Sequence, residues 1–301
     1  MWRGNEVFKG SLVALVTPFD KNNQVDYVSL KRLIDFHVDS GSDGLVIAGT
    51  TGEAATLTRF EHIKLIEKAV KLSGGRIPII AGTGSNSTDQ TIDLSQAVSD
   101  LGIDAFLIVV PYYNKPTQEG IYRHFTVIAD ELDKPVMMYN VPGRTVADMQ
   151  PETVGRLSHN ENIIGVKEAT GDIERLKAIQ ELVNSDFKLF SGDDFTLYPF
   201  IRQGGHGVVT VSGNVVPAQV AKLCRLALEG QDDAATVLDD SLQALNSALF
   251  VESNPIPVKW AVNQMGLMEE YIRLPLTPYE SRFHDQMLKA MHHAGVKIGK
   301  N

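Results

Sequence analysis

Eight short apolar runs, alternating with stretches of helical periodicity, constrain this chain more than any other feature of its sequence. The runs occupy residues 12–17, 44–48, 78–82, 105–111, 135–140, 163–168, 188–191 and 207–212. Continuous apolar runs of this length, rich in β-branched residues, suit parallel strands buried on both faces. The stretches between them repeat apolar residues at helical spacing. Leu30, Leu33, Ile34 and Val38 share one face, and Ile63, Ile66 and Val70 share another. Strand and helix repeated eight times is the pattern of a (β/α)8 TIM barrel, an α/β fold. An open doubly wound sheet would not need eight units, and no G-x-G-x-x-G follows the first run. After the eighth run the chain turns helical over 217–228, 232–249, 256–265 and 278–293. The expected organisation is a catalytic barrel over residues 1–230 with a C-terminal helical extension over 231–301.

Composition excludes several classes of function. The formal net charge is -9 and no long block of like charge occurs, which argues against a nucleic-acid partner. No apolar run is long enough to span a membrane, and the first ten residues contain no apolar h-region. The single cysteine, Cys224, rules out an internal disulfide, fits a reducing compartment and reads as a small core hydrophobe. A soluble, cytoplasmic protein is expected.

In a barrel of this class the chemistry sits at the C-terminal ends of the strands. There the second run enters Gly49-Thr50-Thr51-Gly52-Glu53, the fourth ends in Tyr112-Tyr113-Asn114, and the fifth in Tyr139-Asn140-Val141-Pro142-Gly143-Arg144-Thr145. The sixth carries Lys167 inside Gly165-Val166-Lys167-Glu168-Ala169-Thr170. A lysine in an apolar strand is costly, and removal from water disfavours the ammonium form. The free amine can then condense with a ketone or aldehyde to a Schiff base. Plainer readings exist for each element. Lys167 could snorkel to solvent or pair with Glu168, the Gly-Thr-Thr-Gly segment could be a capped turn, and Arg144 could be a solvated loop charge. Asp193-Asp194 reads as a cap for the following helix before it reads as a metal site, and His292-His293 point to different helix faces. The segment Gly82-Thr83-Gly84-Ser85-Asn86 lacks the lysine and spacing of a P-loop. Taken together, one buried amine, two tyrosines, two threonines and an arginine at one barrel mouth suit Schiff-base chemistry on a carboxylated carbonyl compound.

These motifs, with Asn254-Pro255-Ile256-Pro257-Val258-Lys259, resemble those of the dihydrodipicolinate synthase family, over nearly the whole chain. The resemblance implies condensation of pyruvate with L-aspartate-4-semialdehyde at Lys167, the committed step of lysine and diaminopimelate biosynthesis, without a metal or organic cofactor. It implies Tyr139 as general acid/base and Thr50 and Tyr113 as its proton-relay partners. Tyr113 would be supplied by a neighbouring subunit, so a homo-oligomer, a dimer of dimers, is expected. Thr51 would hold the pyruvate carboxylate, Arg144 would receive the carboxylate of the semialdehyde, and Gly192 and Val209 would line the substrate site. The rival readings are another pyruvate-dependent lyase, acting on N-acetylneuraminate or keto-deoxy sugar acids, and a non-catalytic keto-acid-binding barrel. Arg144 is the residue that favours the synthase.

Some members of that family are inhibited by lysine at a dimer-interface site. Ala55, Arg59, His62, Asn86, Gln90 and Tyr112 match it here. Arg59 stands where sensitive members usually have histidine and Gln90 where they have glutamate. Losing a carboxylate that pairs with the ligand's ammonium predicts weak or absent inhibition.

Overall fold

In the computed structural model, which describes residues 8–299, eight parallel strands close into one barrel in sequence order. The N-terminal segment read above for an h-region lies mostly outside the described residues. The strands are β1 (Gly10–Ala14), β2 (Gly44–Ile47), β3 (Ile79–Gly82), β4 (Ala105–Val109), β5 (Val136–Asn140), β6 (Ile163–Glu168), β7 (Lys188–Ser191) and β8 (Gly207–Thr210). Pairing of β8 with β1 closes the ring. The helices outside it are α1 (Tyr27–Ser40), α2 (Arg59–Ser73), α3 (Thr88–Ser99), α4 (Gln118–Asp130), α5 (Pro142–Thr145), α6 (Pro151–Leu157), α7 (Ile173–Gln180), α8 (Leu197–Arg202) and α9 (Pro217–Leu228). Three more follow: α10 (Asp232–Leu249), α11 (Ile256–Gln264) and α12 (His284–His293).

Local chemistry sets these boundaries. Asp26 caps α1 through the amides of Val28 and Ser29, and Thr58 with Glu61 forms a capping box on α2. The last helix begins later than the periodicity predicts. Residues 278–280 are irregular and Ser281–Phe283 is a single 3-10 turn, because Pro278 and the aromatic packing of Tyr279 on Trp260 and His284 hold that segment against α11.

The strands alternate between two cores. Outward residues such as Val13, Ile47, Phe106, Met138 and Val166 pack under the helices. Inward residues, among them Leu12, Val46, Ile80, Met137, Phe190 and Val209, fill the barrel interior. Tyr139 belongs to this inner layer, and Lys167 lies opposite it across the β5–β6 ladder. The ladder is not regular. Val136 faces Ile163 but Met137 faces Gly165, so β6 carries one extra residue, Ile164, in a bulge below the site. Only glycine fits at 165, since a Cβ there would stand 2.3 Å from the Lys188 carbonyl oxygen.

Candidate active site

Lys167 is 6% exposed and Tyr139 7%, so both side chains are withdrawn from bulk water at the C-terminal end of the barrel. The Lys167 Nζ stands 4.0 Å from the centre of the Tyr139 ring. Glu168 does not pair with it. Strand alternation sends the Glu168 carboxylate to the outer face, where it accepts from Asn140 Nδ2 at 3.0 Å and Arg175 Nε at 3.1 Å. Burial pushes the Glu168 carboxyl above its ordinary range, against the pull of Arg175 and Asn140.

Lys167 and Tyr139 line a cavity of about 140 Å3, together with Thr50, Thr51, Arg144 and Gly192. Gly192 has a steric reason: a Cβ would come within 2.9 Å of Lys167 Cε and 2.6 Å of Ala169 Cβ. Asn254 Nδ2 donates to Thr51 Oγ1 at 2.9 Å. The Thr51 hydroxyl hydrogen is thereby free to donate to a ligand oxygen. Arg144, on the short helix α5 at the mouth, donates from Nη2 to the Asn254 carbonyl at 3.2 Å, so one residue of the C-terminal segment holds two of the groups that line the cavity. Asn254 also lines the cavity, and its Oδ1 is buried without a partner. Sequence reading quoted Asn254 within a motif but gave it no place in the site.

The turn that carries Thr50 and Thr51 is bolted from below. Glu53, at φ 56°, directs its carboxylate inward to Lys259 Nζ at 2.5 Å and to the Arg273 amide at 3.1 Å. Glu53 and Lys259 side chains are 0% and 1% exposed. Burial pulls the Lys259 amine down to about 8 despite the opposing effect of Glu53. Thr17 Oγ1 adds a hydrogen bond to the Gly52 carbonyl at 2.7 Å.

A second, larger cavity of about 670 Å3 adjoins the first and shares Gly49, Thr50, Tyr139, Val141 and Arg144 with it. Thr50 and Tyr139 therefore stand in the wall between the enclosed site and an open cleft. Ala55, Arg59, His62, Gln90 and Tyr112 line this cleft. Arg59 Nε donates to Asp93 at 2.8 Å, and Gln90 Oε1 accepts from Ser85 Oγ at 3.2 Å. His62 Nε2 lies 2.7 Å from the Gly82 carbonyl, and burial lowers its basicity.

Three of the expected residues line neither cavity of this chain. Val209 packs in the barrel interior, and Val211 lines the cavity instead. Asn86 lines neither cavity, and its carbonyl accepts from Asn114 Nδ2 at 2.8 Å. Tyr113 points out of its own chain, 88% exposed, with a left-handed φ of 73° that a bulky residue rarely adopts. Asp193 and Asp194 serve the local backbone. Asp193 accepts from the Thr196 amide and hydroxyl, and Asp194 from the Val211 and Ser212 amides. Among the described residues no group of three or more His, Cys, Asp or Glu side chains converges on a metal position, and no helix is long and apolar enough to cross a membrane.

Comparison with known proteins agrees with this geometry. The model of the dihydrodipicolinate synthetase family matches residues 7–294. The 4-hydroxy-tetrahydrodipicolinate synthase of Pseudomonas aeruginosa is 52% identical over 287 residues, covering 95% of this chain and 98% of that one. The crystal structure of dihydrodipicolinate synthase from Aquifex aeolicus superposes with a TM-score of 0.95 at 42% identity, over 97% of this chain and 100% of that one. The chloride-inhibited enzyme from Acinetobacter baumannii, solved in complex with pyruvate, gives 0.94 at 44% identity, over 96% and 99% of the two chains. By sequence and fold, this chain belongs to the dihydrodipicolinate synthetase family.

Proposed function

We propose that this protein condenses pyruvate with L-aspartate-4-semialdehyde to 4-hydroxy-tetrahydrodipicolinate. The observation that carries the reading is a withdrawn lysine amine against a tyrosine ring, with threonine hydroxyls beside it and an arginine at the mouth of the same cavity. The Lys167 amine attacks the pyruvate ketone carbon, and water leaves to give an imine. Loss of a methyl proton converts this to an enamine, whose carbon attacks the semialdehyde aldehyde. The amino group of the bound product then displaces Lys167 and closes the ring. The protonated imine is the electron sink for this sequence.

Each residue has a matching task. Thr51 donates to the pyruvate carboxylate, since Asn254 already fills its acceptor side. Tyr139 exchanges protons with the reacting centre, and Thr50 passes them toward the open cleft. A phenol is a poor base at neutral pH, so such a relay lowers the cost of moving its proton. Tyr113 completes the relay from a second copy of the chain, which its outward, left-handed placement supports, and the same reading takes the assembly as a dimer of dimers. Arg144 matches the semialdehyde carboxylate with two parallel hydrogen bonds. The same reading places the enzyme in the cytoplasm and makes Arg59 and Gln90 a poor lysine-binding pair.

The test is a coupled assay with both substrates. The purified chain should consume the semialdehyde only when pyruvate is present and should not cleave N-acetylneuraminate or keto-deoxy sugar acids. Arg144→Ala should lower kcat/KM for the semialdehyde about a hundredfold or more while pyruvate still forms its imine. Cleavage of a sugar acid without semialdehyde turnover would move the assignment to the lyases.

A further inference from the structure

Tyr139 and Lys167 face each other across β5 and β6 on the inside of the barrel, and the next residues of the two strands, Asn140 and Glu168, face each other on the outside. The outer pair is fully engaged. Asn140 Nδ2 donates to Glu168 Oε2 at 3.0 Å and to Asp148 Oδ1 at 2.9 Å, while Asn140 Oδ1 accepts from the Met149 amide at 3.0 Å. Glu168 Oε1 accepts from the Thr170 amide at 2.9 Å. Arg175, on α7, joins Glu168 at 3.1 Å to both oxygens of Asp148, at 2.8 and 3.1 Å, and its Nη2 reaches the Met149 carbonyl at 2.5 Å. No buried side-chain atom of these four residues lacks a partner.

This arrangement sits directly above an irregular stretch of ladder. The extra residue Ile164 shifts the pairing between Val136 and Met137, so the register above the bulge differs by one residue from the register below it. A slip of one residue turns every side chain of a strand to its other face, and here it would carry Lys167 out of the barrel. A side-chain bond between directly opposed residues forbids the slip above the bulge. We propose that the Asn140–Glu168–Arg175–Asp148 network acts as a register lock, with Asn140 and Glu168 as positioning residues that set the Lys167 amine against Tyr139. The assignment rests on the Schiff-base reading of Lys167 and adds to it residues that touch neither substrate nor reacting atoms.

The test measures the rate of the pyruvate–Lys167 adduct, trapped with borohydride and quantified by mass, alongside kcat and KM for pyruvate. Glu168→Gln and Asp148→Asn are compared with Leu30→Ala, a buried α1 substitution that lowers stability away from the network. The lock predicts that Glu168→Gln slows adduct formation and kcat about tenfold or more, as expected for a displaced reacting group, with a change in KM below about threefold. Asp148→Asn, at the more exposed end of the network, should show the same signature more weakly, and it decides the matter alone if Glu168→Gln does not fold. Losses no larger than those of Leu30→Ala at matched stability would overturn the lock while leaving the nucleophile intact. Failure of the unsubstituted chain to form any adduct would remove the Schiff-base reading and the lock with it.

Discussion

Replacing Lys259 by methionine should destabilise this protein through a single stranded charge. The side chain is nearly isosteric, so packing volume changes little. Glu53, however, would keep a buried carboxylate with only the Arg273 amide for company. Breaking a buried ion pair by removing one partner costs about 3–5 kcal/mol, because the other charge is left uncompensated. With an unfolding entropy of about 2.1 cal/mol/K per residue, 301 residues convert that to a fall in Tm of about 6 °C. Adding Glu53→Gln should recover most of the loss at pH 7, because neither charge then remains. Calorimetric scans of the parent, the single and the double variant at pH 7 test this. A single variant within about 2 °C of the parent at pH 7, or a double variant no better than the single, would refute the reasoning.

Other consequences can be checked independently. Tyr113→Phe should lower kcat about tenfold to a hundredfold, as loss of a relay hydroxyl does. Mixed with inactive Lys167→Ala chains, it should regain about a quarter of parent activity, because half the dimers then hold one intact site with Tyr113 from the partner; no recovery on mixing would place Tyr113 outside the site. His37 is held neutral, its pKa lowered by burial to about 3 from 6.5. The unfolded chain therefore takes up that proton first, and stability should decline as pH falls from 6.5 toward 3; His37→Leu should flatten the urea-denaturation slope by about 1.4 kcal/mol per pH unit, and an unchanged slope counts against the assignment. Lysine at micromolar concentration should not inhibit, since Arg59 is tied to Asp93 and Gln90 offers no charge; Gln90→Glu should raise sensitivity, and strong inhibition of the parent would contradict this.

The barrel was legible because each strand is buried on both faces and so reads as an unbroken apolar run. The strand-end position of Lys167 followed from the same pattern, and the exclusion of Glu168 as its partner follows from simple alternation once register is known. Register itself was not legible: Ile164 looks like any other strand residue, and the bulge exists only in the pairing of β5 with β6. Asn254 and Lys259 escaped for a different reason. Their contacts with Thr51 and Glu53 span 203 and 206 residues of chain, beyond any local periodicity. A lysine inside the helical pattern of α11 reads as a solvent-facing charge until the fold lays it over Glu53 and Phe19. Tyr113 could be assigned only by resemblance, since an exposed tyrosine in a loop carries no signal of a role.

The central claim is that Lys167 is the nucleophile, and one measurement reaches it directly. The chain is incubated with pyruvate, reduced with borohydride, digested and mapped by mass spectrometry. The account predicts one permanent pyruvate-derived adduct per chain on the peptide bearing Lys167, and none in Lys167→Ala. An unmodified Lys167 peptide, or a stoichiometric adduct on another lysine such as Lys259, would contradict it.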